Sequence, residues 1–220
     1  MDWSGKRAWA AAEHVARSAR PPADGEREDL RLAGIAGASW AEGLAALMLG
    51  ERREAEGLLR RAAAEYRTSW AAAPAGSWGR PIAAMRCRLL AGDDAGLELD
   101  AAATLDAGSG AAAGPIAAYA TALAFLALDR DGEALPVART LQGRDDFVAP
   151  VADALVALAS GDGPAYGVES ASLLLDFEAR EAFLEDTPVA DTVLVLDALA
   201  AERGIPAPRP HTELLPRAAA

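Results

Sequence analysis

The sequence predicts an all-α protein of stacked helical hairpins, about ten or eleven helices in all, and three observations predict it. The chain is rich in alanine, the residue with the best intrinsic helix propensity, and poor in aromatic residues at 5%. Apolar residues recur at three- and four-residue steps, most clearly at Ala55, Leu58, Leu59, Ala62, Tyr66, Trp70 and Ala73. A proline-led signature recurs along the chain. Pro81-Ile82-Ala83-Ala84 returns as Pro115-Ile116-Ala117-Ala118, and Pro150-Val151-Ala152-Asp153 returns as Pro188-Val189-Ala190-Asp191. Proline is tolerated in the first helical turn, where its missing donor has no partner anyway, so each marks the front of a helix.

The elements follow in order. Ser4 can cap a first helix that runs to about Arg20 and stops at Pro21-Pro22. A second helix begins near Asp24 and carries Leu30, Leu32 and Ile35, with Gly34 and Gly37 weakening its end. Ser39 and Glu42 form a capping box for a separate helix bearing Leu44, Leu47, Met48 and Leu49, closed by Gly50. The striped segment from Ala55 ends at Pro74. Asp93-Asp94, Asp131-Gly132 and Asp162-Gly163-Pro164 open the second helices of three later hairpins, the last carrying Val168, Leu173 to Leu175, Phe177, Phe183 and Leu184. A final helix from Pro188 carries Val189, Val193, Leu196 and Leu199. Gly204 stands where a helix end needs a left-handed residue, and Ile205 supplies the accompanying apolar contact. Pro206, Pro208 and Pro210 then impose an extended tail over residues 205–220, tacked down by Leu214 and Leu215. The 220 residues suit one all-helical domain better than two.

Composition excludes several classes. There are 21 basic residues against 33 acidic ones, a net charge of −12, and Lys6 is the one lysine. Such a balance opposes nucleic-acid binding, which needs cations to neutralise phosphates, and fits a salt-rich cytoplasm or a basic partner. Residues 107–128 carry no charge, but their first part is Gly- and Ala-rich and strongly apolar residues appear only later, so a loop leading into a buried helix is expected rather than a membrane span. Cys87 is the single cysteine, which rules out an intrachain disulfide and suits the cytoplasm, and the N-terminus lacks the apolar core of a signal peptide.

The chemical inventory is poor. One lysine leaves no phosphate-binding loop and no Schiff-base candidate. His14 and His211 have no second histidine at metal-ligand spacing. Asp129, Asp131 and Gly132 look like a fragment of a calcium loop, but its first and twelfth positions would be Ala127 and Ala138. Gly76-Ser77-Trp78-Gly79 is only loosely like a nucleophile elbow. No catalytic residue, cofactor or metal ligand is expected. Cys87, between Arg86 and Arg88, reads as a buried structural thiol.

Charge along the chain is uneven. Residues 52–90 hold eight arginines and three glutamates, a net +5, whereas residues 91–200 hold twenty acids and four arginines, a net −16. This asymmetry is either a device that steers a partner or one Arg-rich helix on an ordinary acidic surface. Trp70, Trp78, Arg80 and Arg86 are the candidate partner-binding residues, because Trp and Arg are favoured interface anchors. The same tryptophans could equally plug a gap between hairpins.

Two family resemblances add to this. Gly43, Gly50, Glu54, Ala55, Leu59 and Ala62 resemble the glycine and alanine spacing of a tetratricopeptide repeat, over about one repeat. The four prolines keep a similar period, at intervals of 34, 35 and 38 residues, while later copies lose the marker residues: Gly96-Leu97 stands where Glu54-Ala55 would recur. The resemblance implies a concave groove that binds peptides or proteins. The segments Ala122 to Asp131 and Leu199 to Ile205, with Leu214-Leu215-Pro216, resemble the immunity protein 49 family, across the C-terminal half. That resemblance implies a non-enzymatic protein that neutralises a toxin by binding it. The reading is therefore a non-catalytic protein-interaction module with a protein or peptide partner and neither nucleic acid nor membrane. Two alternatives stand: an enzyme with a carboxylate pair between helices, or an oligomeric scaffold, such as a homodimer, with an apolar face on the helix from Pro188.

Overall fold

The computed structural model describes residues 1–108, 114–207 and 212–217, and His211 falls outside them. Its helices are α1 (Trp3–Ala19), α2 (Glu28–Met48), α3 (Arg52–Ala71), α4 (Gly79–Ala91), α5 (Asp94–Asp106), α6 (Pro115–Ala127), α7 (Asp131–Arg139), α8 (Ala149–Ser160), α9 (Gly163–Glu178) and α10 (Asp191–Glu202). Among the described residues there is no strand. The expected all-α class is what the chain adopts. No helix among these residues is long and apolar enough to cross a membrane.

Local chemistry sets most boundaries. The Asp93 and Asp162 carboxylates accept from the backbone N–H groups of Gly96 and Ala165, at 3.2 and 3.0 Å, and so cap α5 and α9. Pro115 and Pro150 sit in the first two positions of α6 and α8, and Pro81 is the third residue of α4. Gly204 adopts φ +65°, and Ile205 N–H returns to the Ala200 carbonyl at 2.9 Å, the six-to-one bond that closes α10.

Four sequence expectations are corrected. The cap of α1 is Asp2, whose carboxylate accepts from Gly5 N–H at 2.9 Å, so the helix starts one residue before Ser4. Ser39 and Glu42 cap nothing, because α2 is one uninterrupted helix of 21 residues. Its glycines are contact points rather than breaks. A Cβ on Gly43 would lie 2.8 Å from Leu59 Cγ, and one on Gly37 would lie 2.7 Å from the Glu185 carboxylate. Close packing thus outweighs glycine's unfavourable helix propensity. Pro188 does not open a helix; α10 begins at Asp191, and Pro188 belongs to the stretch before it. Phe183 and Leu184 lie past the end of α9, in a segment with a short 3-10 turn at Leu184–Asp186.

From α1 to α9 each helix packs on the one before, as stacked hairpins must, to bury their apolar stripes. Within this stack α4 also meets α6, and α6 meets α8, while the odd-numbered helices make no mutual contact of that extent. The even-numbered helices therefore form the inner layer and the odd-numbered ones the outer layer. The last helix breaks the sequence. Instead of stacking onto α9 alone, α10 turns back against α4 and α8 and lies on the inner layer. Its Val193, Val195, Leu196, Leu199 and Ala200 are buried, and the preceding 3-10 turn reaches α2. The tail continues this cover: Ala190 N–H donates to the Leu214 carbonyl at 2.9 Å, and Leu214 and Leu215 pack on the core.

Candidate functional site

The inner surface that a hairpin array would offer to a peptide is thus occupied by the chain's own residues. Ion pairs hold them there. Arg86 on α4 donates to Asp191 and, at 3.0 Å, to Thr192, both in the first turn of α10. Arg17 on α1 holds both Glu185 oxygens at 2.9 Å and also donates to the Gly34 carbonyl at 2.7 Å. At the far end of α10, Arg203 donates to Asp131 and, at 2.7 Å, to the Leu126 carbonyl.

The four candidate anchors do not form one surface. Trp70 near the end of α3 and Trp78 just before α4 are half-buried, and Trp78 packs on the core. Arg80 points toward α2 and α3, donating to Asp29 at 3.0 Å and to Ser69 at 3.3 Å. Ser69 in turn donates to the Asp29 carbonyl at 2.7 Å. Asp29 is 3% exposed, and the Arg27 guanidinium, followed by Arg80, holds its carboxyl below the usual range. Arg86 faces the opposite neighbour, α10. Both arginines are engaged within the fold.

The same holds for the Arg-rich segment as a whole. Of the eight arginines in residues 52–90, Arg53 alone has no ion pair among the described residues. Arg61 meets Glu42 at 2.6 Å, and Arg67 and Arg88 share Asp100 at 3.0 and 3.1 Å. Acids from outside the segment, Asp29, Glu42, Asp93, Asp100 and Asp191, offset most of the +5 counted along the chain, while Arg52 and Arg60 pair with Glu56 on their own helix. Arg53 and Arg139 are exposed cations without an ion pair among the described residues, and the uncompensated acids outnumber them. Asp94, Glu98, Asp106, Asp145, Glu178 and Glu181 are exposed and meet no cation among the described residues. Most lie on or beside α5 and α9, in the outer layer.

The polar junction around Arg86 is the most buried cluster of ionisable groups. It contains Tyr66, Cys87, Tyr119 and Asp191 and adjoins a cleft of about 180 Å³ bordered by Trp40, Phe183 and Thr187. Burial works against the charge of Arg86, but Asp191 and its neighbours outweigh it and keep the guanidinium above its ordinary value. Burial pushes the Cys87 thiol up to about 12 and both tyrosine hydroxyls above their usual value. Arg86 Nε and the Tyr119 hydroxyl are buried without a hydrogen-bond partner among the described residues. Of this cluster Arg86 is the group that ties α10 down, through Asp191 and Thr192.

A second polar network escaped the sequence. His14 Nε2 lies 2.8 Å from Glu65, the Ser39 hydroxyl donates to Glu65 at 2.6 Å, and Arg61 donates to Ser39 at 3.1 Å. Serine, histidine and glutamate are present, but the glutamate stands between the other two. His14 is not the acceptor of the buried Ser39 hydroxyl, so the cluster lacks the relay of a hydrolase triad. Its three members come from α1, α2 and α3, which no sequence spacing could have linked.

A cleft of about 560 Å³ is walled by Leu47, Leu89, Leu90 and Leu194, with Asp197 its one carboxylate among the described residues. That carboxylate accepts from the Tyr166 hydroxyl at 2.6 Å. Glu202, which desolvation lifts above the usual carboxylate range, lines neither this cleft nor the smaller one. A paired-carboxylate site needs two acids in one apolar pocket; Glu42 and Glu51 do line one cleft together, and each is paired with an arginine, Arg61 and Arg7. Among the described residues no group of three or more His, Cys, Asp or Glu could hold a metal ion.

No family model, no curated protein and no solved structure matches the chain. The fold and its polar clusters define an all-α array of stacked hairpins whose inner layer is covered by its own last helix.

Proposed function

We propose that this protein is a non-catalytic interaction module that recognises a basic protein partner on its outer, acidic layer, as an immunity-like protein neutralising a toxin would. One observation carries the reading: most arginines are engaged in internal ion pairs, while on the outer layer the carboxylates without a counterion among the described residues outnumber the two free cations, Arg53 and Arg139. Such a surface attracts a cationic partner over distances of about a Debye length, roughly 8 Å at physiological salt, and raises its association rate. The covered inner layer supports an outer interface, because a peptide entering the groove would have to displace fully buried valine and leucine side chains of α10.

The test is co-expression with the product of the neighbouring reading frame. The reading expects a stable complex, protection of the host cell from that product, and an association rate that falls steeply with salt. Glu98→Lys combined with Asp94→Lys should slow association without altering the fold. Loss of protection on changing a single buried carboxylate, with the complex and the fold intact, would point to catalysis instead.

A further inference from the structure

The outer layer is not uniform. Each helix from α2 to α8 is flanked on both sides by array neighbours, but α9 is the last of the stack, and the chain leaves it by turning inward. One face of α9 therefore has no successor. On it Val168 and Leu175, two turns apart, are each 66% exposed. Ala171 and Ser172 lie between them, also exposed, so a second helix could approach closely along the strip. The opposite face of the same helix is committed to the core through Tyr166, Ser170, Leu173, Leu174 and Phe177. The scaffold alternative placed an exposed apolar face on the final helix; it is α9 that carries one, while α10 is buried.

Charge decides what can cover this strip. At about 100° per residue, Glu169 and Asp176 border it on one side and Glu178 on the other. The nearby cation, Arg180, is held by Asp176 at 2.6 Å and stacked over the Phe177 ring at 3.7 Å. A second copy would bring no free cation to either border, because the one it carries there, Arg180, is already held by its own Asp176. A helix with an apolar stripe flanked by Lys or Arg would instead meet opposite charge on both borders.

We infer that the exposed face of α9 is the docking strip for a basic amphipathic helix of the partner. The inference rests on the proposed outer-layer function and names its surface. The sixteen residues make α9 about 24 Å long, and Val168 and Leu175 lie about 10 Å apart along it.

Two synthetic sixteen-residue peptides test it, both with the same Leu/Ala stripe, one flanked by lysines and the other by glutamates. Each is titrated into the full ¹⁵N-labelled chain. The expected result is binding of the lysine peptide, with amide shifts centred on residues 165–179. Affinity should fall at least tenfold for the glutamate peptide, for Leu175→Ser, and for Glu169→Lys combined with Glu178→Lys. These side chains are outside the core, and an unchanged circular dichroism melt checks that each variant folds. Shifts centred on α5 or α7 would overturn the strip while leaving the acidic-layer reading in place. Equal binding of both peptides, or of neither, would overturn it too, and the neighbouring-frame complex would then judge the broader reading separately. A dimer in light scattering that Leu175→Ser dissolves would replace the partner with a second copy and also overturn the inference.

Discussion

Arg86 on α4 and Asp191, the first residue of α10, form an ion pair that joins the middle of the array to the helix that ends it. The two residues are 105 positions apart, and their side chains are 21% and 11% exposed. Removing one partner from such a pair leaves a charge with little solvent and no counterion. Asp191→Ala should therefore cost about 3 kcal/mol, at the low end for buried pairs because Arg86 keeps some contact with water. Urea denaturation measures it. Arg86→Met combined with Asp191→Leu should cost clearly less than Asp191→Ala, since neither charge is then stranded. A double variant as unstable as the single one would contradict this account.

The segment before α10 is anchored by a single contact of the same kind. Glu185 and Asp186 both adopt left-handed φ, 51° and 46°, unusual for residues with a Cβ, and Glu185 is gripped by Arg17 at both oxygens. Arg17→Ala should free this stretch without unfolding the array. Amide exchange over residues 181–190 should accelerate by about tenfold or more, while exchange in α3 and α4 stays slow.

Two glycines of α2 should respond differently to alanine. At Gly43 the new methyl meets Leu59, a fully buried core side chain, at 2.8 and 2.9 Å. Gly43→Ala should destabilise by about 1–2 kcal/mol, even though alanine favours the helix. At Gly37 the atom approached is the end of the flexible Glu185 side chain. Gly37→Ala should be within about 0.5 kcal/mol of neutral, the gain in helix propensity offsetting a small shift of the carboxylate. Thermal melts of both variants provide the comparison.

Cys87 should be silent in the folded protein. It is fully buried, and burial raises its thiol from the ordinary value of 9.0 to about 12. A thiol reagent at pH 8 should react at the rate of unfolding rather than of a free thiol. The pH dependence has a definite sign. The unfolded chain ionises Cys87 near 9.0 and the folded chain only near about 12, so between these values the unfolded state is the one that gains by losing its proton. Stability should fall as pH rises through that window, and Cys87→Ala should remove that part of the fall.

Much of the fold was legible in the sequence because its signals are short-range. The Asp93 and Asp162 caps, the proline starts of α6 and α8 and the Gly204–Ile205 stop of α10 each depend on residues within six positions. The errors have one character. Gly34, Gly37 and the Ser39–Glu42 pair look like a break and a new start, but α2 runs through them because Leu59 and Glu185 need the space its glycines leave. Of the candidate site, Trp70, Trp78, Arg80 and Arg86 were named for their chemistry, yet Arg80 and Arg86 are spent on Asp29 and Asp191. The exposed strip of α9 was hidden for the same reason: Val168 and Leu175 look no different in sequence from the buried Leu173 and Leu174 until the next neighbour is known to be missing.

By itself the sequence determined that this chain is helical, where most of its helices start and stop, and that its surplus charge is negative, since backbone propensity, capping and composition act locally or in sum. Only the tertiary structure decided that α10 folds back over the inner layer, that most arginines of residues 52–90 are neutralised, and which acids and apolar side chains remain outside. Those outcomes depend on pairings between residues tens to a hundred positions apart, and a Coulombic or packing contact exists only once the chain has brought its two members together.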